Sequence, residues 1–240
     1  MSEPIRLSKR VIELTGCSRR EAELYIEGGW VRVDGVVVEQ PQFKIVDQHV
    51  EVDPNATLEP LEPATLLLHQ PVAVQSGPWR TSVVPTIALE NHSPDDLSGI
   101  QPLHRHLTRL SAPMPLDHGA SGLVVLTQDW RVVRRLTEDS ARIEQEYQVE
   151  VRGTIATDGL ARLCHGQSYQ GRVLPPCKAS WQSENRLRFA IKHVHAGQLR
   201  HMCAQVGLEV TAIKRLRIGR IPLSRMAPGQ WRFLPTGERF

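Results

Sequence analysis

An aperiodic stretch from Asp53 to Pro63 divides this chain of 240 residues into two parts with different patterning. Its prolines and acidic residues follow neither a helical nor a strand period, which is typical of a linker. A chain of this length suits a small domain joined to a larger one. We therefore expect one domain over residues 1–52, a linker over 53–63 and a second domain over 64–240.

The first part has the pattern of two short helices followed by a hairpin. Apolar residues recur at roughly helical spacing before Gly16, which can close the first helix. Ser18 and Glu21 have the spacing of a capping box at the start of a second helix, and Gly28-Gly29 can end it. Asp34-Gly35 then predicts a tight hairpin turn between two valine-rich strands.

The second part alternates strands with modest helices. We expect helices over 130–137 and 199–206, and strands around 66–69, 123–127, 146–151, 186–191 and 210–218. This is not the regular alternation of a doubly wound parallel fold. It predicts an α+β protein in which a small helical and hairpin domain precedes a mixed, largely antiparallel sheet.

Composition describes a globular protein without a membrane segment. It is 40% hydrophobic and 23% charged, which allows a real core. No apolar run approaches the length that spans a bilayer, and the amino terminus has no apolar signal core, so we expect a cytoplasmic protein. The four cysteines and the histidines lack paired ligand spacing, which predicts neither a disulfide framework nor a bound metal.

Charge is unevenly distributed along the chain. The net charge is only +3, yet residues 186–240 carry eleven Lys and Arg against two Asp and Glu. A basic segment beside a near-neutral remainder is typical of a protein that binds a polyanion. A solvated basic face with no partner is the alternative at this point.

Asp117 lies in a turn that precedes a short apolar run. Ser121-Gly122 follows four residues later, and Leu123–Leu126 predict a buried strand. A carboxylate in a loop held by a rigid strand is well placed for chemistry. Asp also caps turns routinely, so the segment alone leaves both interpretations open.

This segment resembles the catalytic loop of bacterial RNA pseudouridine synthases, commonly Gly-Arg-Leu-Asp-x-x-Ser/Thr-x-Gly-Leu-Leu-x-Leu-Thr-x-Asp. The matching residues are Leu116, Asp117, Gly122, Leu123, Leu126, Thr127 and Asp129, and Ser121 lies one position after the Ser/Thr of the motif. Tyr147 matches the family's Lys-x-Tyr-x-Val strand, residues 198–202 match its Gln-x-Arg-Arg-Met block, and residues 214–219 match its carboxy-terminal block. The closest resemblance is to the RsuA/RluF-like group, which modifies ribosomal RNA.

The first domain resembles the S-four RNA-binding domain, named for a ribosomal protein. Spacing and residue types agree over the two helices and the hairpin up to Gly35. The resemblance implies that five basic side chains face RNA phosphates, namely Arg6, Lys9, Arg19, Arg20 and Arg32. Neighbouring acids leave open that these are ordinary surface charges.

The resemblance implies isomerisation of uridine to pseudouridine in RNA without metal or cofactor. Asp117 would be the essential carboxylate, attacking the sugar or abstracting a proton from it, and Tyr147 would stack on the flipped base. Arg200 would pair with Asp117 and keep it ionised. Further RNA contacts are implied at Lys178, Gln198, Lys214, Arg215 and Arg217. The expected partner is RNA, with ribosomal RNA favoured and transfer RNA possible, and the protein is expected to be a monomer.

Four positions depart from the family pattern. The family's Lys, Gly, Arg and Lys are replaced in this chain by Gln70, Met114, Pro115 and Gln145. Such losses leave open a non-catalytic RNA-binding protein on a degenerate fold. Because Asp117, Tyr147 and Arg200 persist together, we favour an active enzyme. A hydrolytic glycosidase would need a second carboxylate, and the sequence offers no clear candidate.

Overall fold

A computed structural model describes residues 3–72 and 87–240. The chain forms two compact units. The first comprises Met1–Pro63 and Gln101–Thr108, and the second comprises Ala64–Ile100 and Arg109–Phe240. Sequence reasoning did not anticipate that Gln101–Thr108 joins the first unit. Over the described ranges, no helix is long and apolar enough to cross a membrane.

The first unit combines two helices with short strands. Its elements are β1 (Ile5–Arg6), α1 (Leu7–Thr15), α2 (Arg19–Glu27), β2 (Val31–Val33), β3 (Val36–Val37), β4 (Lys44–Ile45) and β5 (Val50–Val52). The order β3-β2-β5 forms an antiparallel sheet, and β1 pairs with β4. The helices pack on these strands through a small core that includes Leu7, Val11, Ile26 and Val31, all fully buried.

Local sequence signals account for the helix ends in this unit. Gly16 adopts a left-handed conformation at φ 71°, and its N–H donates to the Ile12 carbonyl. Ser18 and Glu21 form the predicted capping box, in which each side chain accepts from the other's backbone N–H. Asp34-Gly35 turns between β2 and β3 with positive φ at both residues, as a two-residue hairpin requires.

The segment Gln101–Thr108 is anchored to the first unit by polar and apolar contacts. Leu103 is 2% exposed and packs against Gly29. The carboxylate of Glu39 accepts from the backbone N–H groups of His104 and Arg105 at 3.0 and 3.4 Å. Arg105 also pairs with Glu27 at 2.7 Å. These residues are far apart in sequence, so no local pattern predicts the association.

The second unit is built around one large sheet. Its elements are β6 (Thr65–Gln70), β7 (Ala120–Thr127), α3 (Trp130–Glu138), β8 (Glu144–Gly153), α4 (Gly159–Cys164), β9 (Ser168–Tyr169), β10 (Arg172–Val173), β11 (Lys178–Ser183), β12 (Arg186–Lys192), α5 (Gln198–Ala204), β13 (Leu208–Ile218), β14 (Ile221–Pro222) and β15 (Trp231–Phe233). Three-residue or four-residue 3₁₀ turns occur at Leu89–Asn91, His104–Leu107 and Ser140–Arg142, the second of them in the first unit.

The large sheet has the strand order β11-β12-β8-β13-β7-β6-β15, and β14 pairs with β13. Within the described chain, β7 and β13 are the one parallel pair of this sheet, and its other pairs are antiparallel. The prediction of an α+β fold with a mixed, largely antiparallel sheet is therefore confirmed. The expected helices and strands are present, with bounds that differ by a few residues.

One row of residues across the sheet positions the candidate site. Gly122 on β7, Arg215 on β13, Tyr147 on β8 and Phe189 on β12 are successive register partners. Gly122 has φ 109°, and an added Cβ would lie 2.6 Å from the Arg215 backbone nitrogen. Because β7 and β13 approach so closely, this position accepts only glycine. The close approach also fixes where the loop before β7, with Asp117, emerges from the sheet.

Candidate active site

The loop Pro113–Asp117 forms one wall of a pocket of about 370 Å³ in the second unit. The other walls come from the carboxyl end of α3, from β8 and β13, and from the segment 193–199 that leads into α5. Asp117, Tyr147 and Arg215 all line it. The volume lies within the range of small-molecule sites, and several chain segments converge on it, as is usual for a binding site.

Two backbone N–H groups hold the carboxylate of Asp117. Oδ1 accepts from His118 at 2.8 Å, and Oδ2 accepts from Gly197 at 2.9 Å. The Asp117 carbonyl accepts from the N–H of Ala120, which closes the turn into β7. Asp117 therefore caps its own turn and also reaches a distant residue. The fold thus contains the turn capping that the sequence left open, and a role of Asp117 in chemistry stays a prediction.

A hydrogen-bonded trio lies beside this carboxylate in the pocket. The Tyr147 hydroxyl donates to Gln145 Oε1 at 2.8 Å, and the same oxygen accepts from the Arg215 guanidinium at 3.2 Å. Tyr147, Gln145 and Arg215 are 6%, 2% and 1% exposed. A buried polar group that lacks a partner is costly, so this arrangement holds all three side chains in one orientation.

Arg215 also braces the loop in front of Asp117. Its guanidinium donates to the carbonyls of Met114 and Leu123, each at 2.7 Å. Met114 is the residue where the family has Gly, and Pro115 follows it where the family has Arg. The loop is thus tied to β13 through the Met114 carbonyl, which any residue could supply. Sequence reasoning assigned Arg215 to RNA and missed this role, because its acceptors lie 92 and 101 positions away.

The ion pair expected between Arg200 and Asp117 is not formed. In the structure, Arg200 donates to the Val210 carbonyl at 3.2 Å and the His118 carbonyl at 3.4 Å. No ion pair of Arg200 with any carboxylate occurs among the described residues. Arg200 therefore supports the turn that carries Asp117 through its backbone. The N–H of Gly197 occupies the place on the carboxylate that we expected Arg200 to take.

Two histidines, His193 and His195, line the pocket on the segment that leads into α5. The rings of His193 and His195 meet edge to face at 4.5 Å, and His193 Nδ1 lies 3.1 Å from the Ser140 hydroxyl. Burial lowers the pKa of His195, and His193 and Arg172 lower it further. These surroundings therefore favour the neutral imidazole of His195 over its charged form. Over residues 3–72 and 87–240, no three His, Cys, Asp or Glu side chains cluster as a metal site would require.

The residues expected to contact RNA fall into two groups. Arg6, Lys9, Arg19, Arg20, Arg32 and Lys178 are exposed, although Arg19 pairs with Glu23 at 3.0 Å. Lys214 is half-buried. The remaining three are engaged inside the second unit: Gln198, Arg215 and Arg217.

Burial and pairing argue against RNA contacts at these three positions. Gln198 is 1% exposed, and its Oε1 accepts from the His195 N–H at 3.0 Å. Arg215 is equally buried in the pocket wall. Arg217 pairs with Glu144 at 2.7 Å and Glu146 at 3.2 Å. These three side chains form hydrogen bonds and ion pairs within the second unit. This corrects our expectation that they contact RNA phosphates.

Comparison with known proteins defines the class. No protein-family model matches the chain. A solved structure described as a pseudouridylate synthase shares the fold, with a TM-score of 0.55 at 18% identity over 96% of both chains. The fold is therefore that of a pseudouridine synthase.

Curated relatives resemble the chain over nearly its whole length. The dual-specificity RNA pseudouridine synthase RluF of Salmonella typhi is 29% identical over 97% of this chain and 76% of its own length. The ribosomal small subunit pseudouridine synthase A of Salmonella typhimurium is 27% identical over 98% of each. An uncharacterised RNA pseudouridine synthase of Aquifex aeolicus is 26% identical over 98% of this chain and 94% of its own. Over nearly its whole length the chain is thus similar to RNA pseudouridine synthases named RluF and ribosomal small subunit pseudouridine synthase A, which confirms the resemblance seen in its motifs.

Proposed function

We propose that this protein isomerises uridine to pseudouridine in RNA, with Asp117 as the reacting carboxylate and ribosomal RNA as the substrate. The observation that carries the proposal is the Asp117 carboxylate, fixed by two N–H groups at a pocket whose wall includes Tyr147. The names of the relatives support RNA as the substrate, and the name of one of them supports ribosomal RNA. We further propose that the protein acts as a monomer in the cytoplasm.

The pocket suits a base that has left its stack. Its wall combines apolar side chains such as Leu199 and Ile213 with the ring of Tyr147. An extruded uracil can stack on such a ring while its polar edge meets fixed hydrogen-bonding groups. Enzymes that act on a base inside folded RNA need a pocket of this kind.

Asp117 is the only carboxylate among the described residues that line the pocket. Hydrolysis of a glycosidic bond by the usual route uses two carboxyl groups that flank it. A single carboxylate instead fits a covalent or proton-abstraction route at one sugar carbon. Either route requires a correctly oriented Asp117 carboxylate, and the two N–H donors hold its oxygens in place.

The proposed reaction conserves all atoms of the substrate. The bond between N1 of uracil and C1′ of ribose breaks, the ring turns, and a bond forms between C5 and C1′. The proton on C5 is released, and N1 gains a proton. The net change is an isomerisation, so no oxidant, reductant or second substrate enters.

RNA binding outside the pocket is proposed for the exposed basic residues of the first unit. Arg6, Lys9, Arg20 and Arg32 are exposed and form no ion pair within the part of the chain that the structure describes. Phosphate contacts of this kind position a protein on RNA and supply salt-dependent affinity. Lys178 at the start of β11 is a further candidate because it is exposed on the second unit.

The proposal is tested with total RNA from cells that lack this gene. Purified wild-type protein and the variant Asp117→Asn are incubated with the RNA, and pseudouridine is mapped by chemical sequencing. Asp158→Asn is the matched control, because Asp158 is an exposed acid that does not line the pocket. We expect a new site in ribosomal RNA with wild type and the control, and none with Asp117→Asn.

The non-catalytic alternative makes a different prediction for the same experiment. If wild type binds RNA tightly but creates no new pseudouridine, the proposed activity is wrong. Pro115 is then the first residue to examine, since it is exposed in the pocket wall and replaces the family's Arg. If a new site appears only in transfer RNA, the isomerisation stands and the proposed substrate is wrong.

A further inference from the structure

One peptide unit links the Asp117 carboxylate to a tyrosine outside the pocket. The N–H of Gly197 donates to Asp117 Oδ2 at 2.9 Å. The carbonyl of Ala196, which belongs to the same peptide unit, accepts from the Tyr169 hydroxyl at 2.7 Å. The atoms of a peptide unit are coplanar, so a bond that fixes the carbonyl also fixes the direction of the N–H.

We propose that Tyr169 is a positioning residue for Asp117, acting through the Ala196–Gly197 peptide. The proposal rests on the proposed function, in which Asp117 is the reacting carboxylate. Tyr169 does not line the pocket and is half-buried in the hairpin of β9 and β10. Its influence on the reaction therefore passes through the peptide and not through a contact with the substrate.

The backbone at Gly197 needs such an anchor. Gly197 precedes α5 with φ 75°, a left-handed conformation that glycine adopts without strain but also leaves readily. An added Cβ would lie 2.8 Å from the Tyr169 hydroxyl oxygen, so glycine is required for this close approach. Rotation of this peptide would turn the N–H away from Asp117. The hydroxyl on the opposite side resists that rotation.

Hydrogen bonding on both sides of one peptide is cooperative. A donor on the carbonyl polarises the peptide and strengthens the donation of its N–H. The acceptor here is a carboxylate, and charge-assisted hydrogen bonds of this kind are the strong ones. Tyr169 therefore both orients the N–H and strengthens its bond to the group that reacts.

The hairpin itself is held against α5 by a second pair of contacts. The rings of Tyr169 and His201 are 5.1 Å apart, and His201 Nε2 lies 3.1 Å from the Ser168 carbonyl. These contacts anchor the hairpin without touching the Ala196–Gly197 peptide. They provide a control that separates hairpin anchoring from peptide orientation.

The test is Tyr169→Phe, which keeps the ring and removes the hydroxyl. We expect kcat to fall about ten-fold, less than the roughly 10²–10³-fold loss seen when a donor to the reacting atoms is removed. KM for the RNA should stay within about two-fold, because the variant leaves the binding surface intact. In NMR spectra of the free protein, the Gly197 amide proton should move upfield as its bond to Asp117 weakens.

His201→Phe is the matched control. It keeps an aromatic ring against Tyr169 and removes the bond to the Ser168 carbonyl, so it weakens the hairpin anchor alone. We expect its kcat and its Gly197 amide shift to match wild type. The amide shift needs no activity, so it tests the link between Tyr169 and Asp117 even if the protein proves inactive.

Two results would overturn the inference. One is a Tyr169→Phe variant whose kcat and Gly197 amide shift equal those of wild type. The other is an equal loss of kcat in Tyr169→Phe and His201→Phe, which would assign the effect to hairpin anchoring. If the wild-type protein is inactive but the Gly197 amide proton still moves upfield in Tyr169→Phe, the proposed function is wrong and the inferred positioning contact stands.

Discussion

Gln145 is the residue at which this pocket departs most in chemistry from the family pattern. Its side-chain oxygen accepts from Tyr147 and from Arg215 at once. The family's Lys is a donor without an acceptor, so it could not receive either bond. The direction of hydrogen bonding around the Tyr147 phenol is therefore set in this chain by an amide. Where the family has lysine, this chain has a glutamine that hydrogen-bonds to both Tyr147 and Arg215. This argues against a site that has merely lost its function.

We predict that Gln145→Leu lowers the free energy of unfolding by about 1–3 kcal/mol, because it leaves the Tyr147 hydroxyl and one Arg215 donor buried without an acceptor. Gln145→Glu is the matched variant, since it keeps an acceptor for both groups. Urea unfolding of the two variants measures the difference. Equal stability of Gln145→Leu and wild type would show that the network contributes little.

The four cysteines are free and differ in burial. Burial raises the pKa of Cys203 to about 12, and burial together with Cys164 raises the pKa of Cys177 to about 11. Thiolate is the reactive form, so both remain unreactive near neutral pH. We predict that iodoacetamide modifies the half-buried Cys17 and Cys164 first in the native protein.

Mass spectrometry of the labelled protein, with labelling in urea as the control, measures this order. Rapid native labelling of Cys203 would contradict the buried position that the fold gives it.

Among the secondary-structure elements, the parallel contact between β7 and β13 explains the glycine of the catalytic-loop motif. Gly122 is the register partner of Arg215 and has no room for a side chain. The glycine thus serves strand packing, and the packing in turn fixes the start of β7 and the loop before it. Part of the motif that we interpreted as catalytic therefore serves the close packing of β7 against β13.

We predict that Gly122→Ala lowers the free energy of unfolding by about 2–4 kcal/mol, through overlap with the β13 backbone together with strain at positive φ. Gly166→Ala is the control, because Gly166 also has positive φ but nothing lies within 4 Å of an added Cβ. It should cost only about 1–2 kcal/mol, from strain alone. Similar losses in both variants would mean that strand proximity is not the cause.

Elements with local signals were predicted well from the sequence. The capping box of Ser18 and Glu21 and the turn at Asp34-Gly35 act within a few residues, so the pattern contains the cause. Arg215 is the opposite case. Its burial depends on acceptors in β7, β8 and the loop at Met114, and a run of basic residues looks the same whether exposed or enclosed.

The roles of Gly197 and Tyr169 likewise could not be predicted from the sequence. The contact between Gly197 and Asp117 spans 80 positions, and neither Gly197 nor Tyr169 belongs to a motif that marks a site. The ion pair that we expected between Arg200 and Asp117 is absent, because the partners of both side chains depend on contacts between segments that are distant in sequence. The sequence pointed to Asp117 as the reacting carboxylate, which stays a prediction, and only the fold could say which groups bind it.

At the scale of the whole molecule, several buried groups resist protonation in the folded state. Burial lowers the pKa of His69 in the second unit, against the effect of its bond to the Met226 carbonyl, and burial lowers that of His106 in the first. Burial raises the pKa of Glu146, but Arg188 and Arg217 outweigh it and hold that pKa below its usual value. In each case the unfolded chain binds protons more readily than the folded chain.

We predict that stability falls on acidification in two steps. The first begins near the usual histidine value of 6.5, and the second near the usual glutamate value of 4.5. His69→Asn should reduce the first step because it removes a titrating group. Thermal unfolding across this pH range measures both steps. Stability that rises as the pH falls below 6.5 would contradict the prediction.

Release of the C5 proton from uridine tests the central claim most directly. Ribosomal RNA carrying [5-³H]uridine, from cells that lack this gene, is incubated with wild-type protein and with Asp117→Asn, and tritium in water is counted. We expect release by wild type and none above background by Asp117→Asn, because forming the C5–C1′ bond expels that proton. Release by Asp117→Asn at the wild-type rate, or no release by wild type, would contradict it.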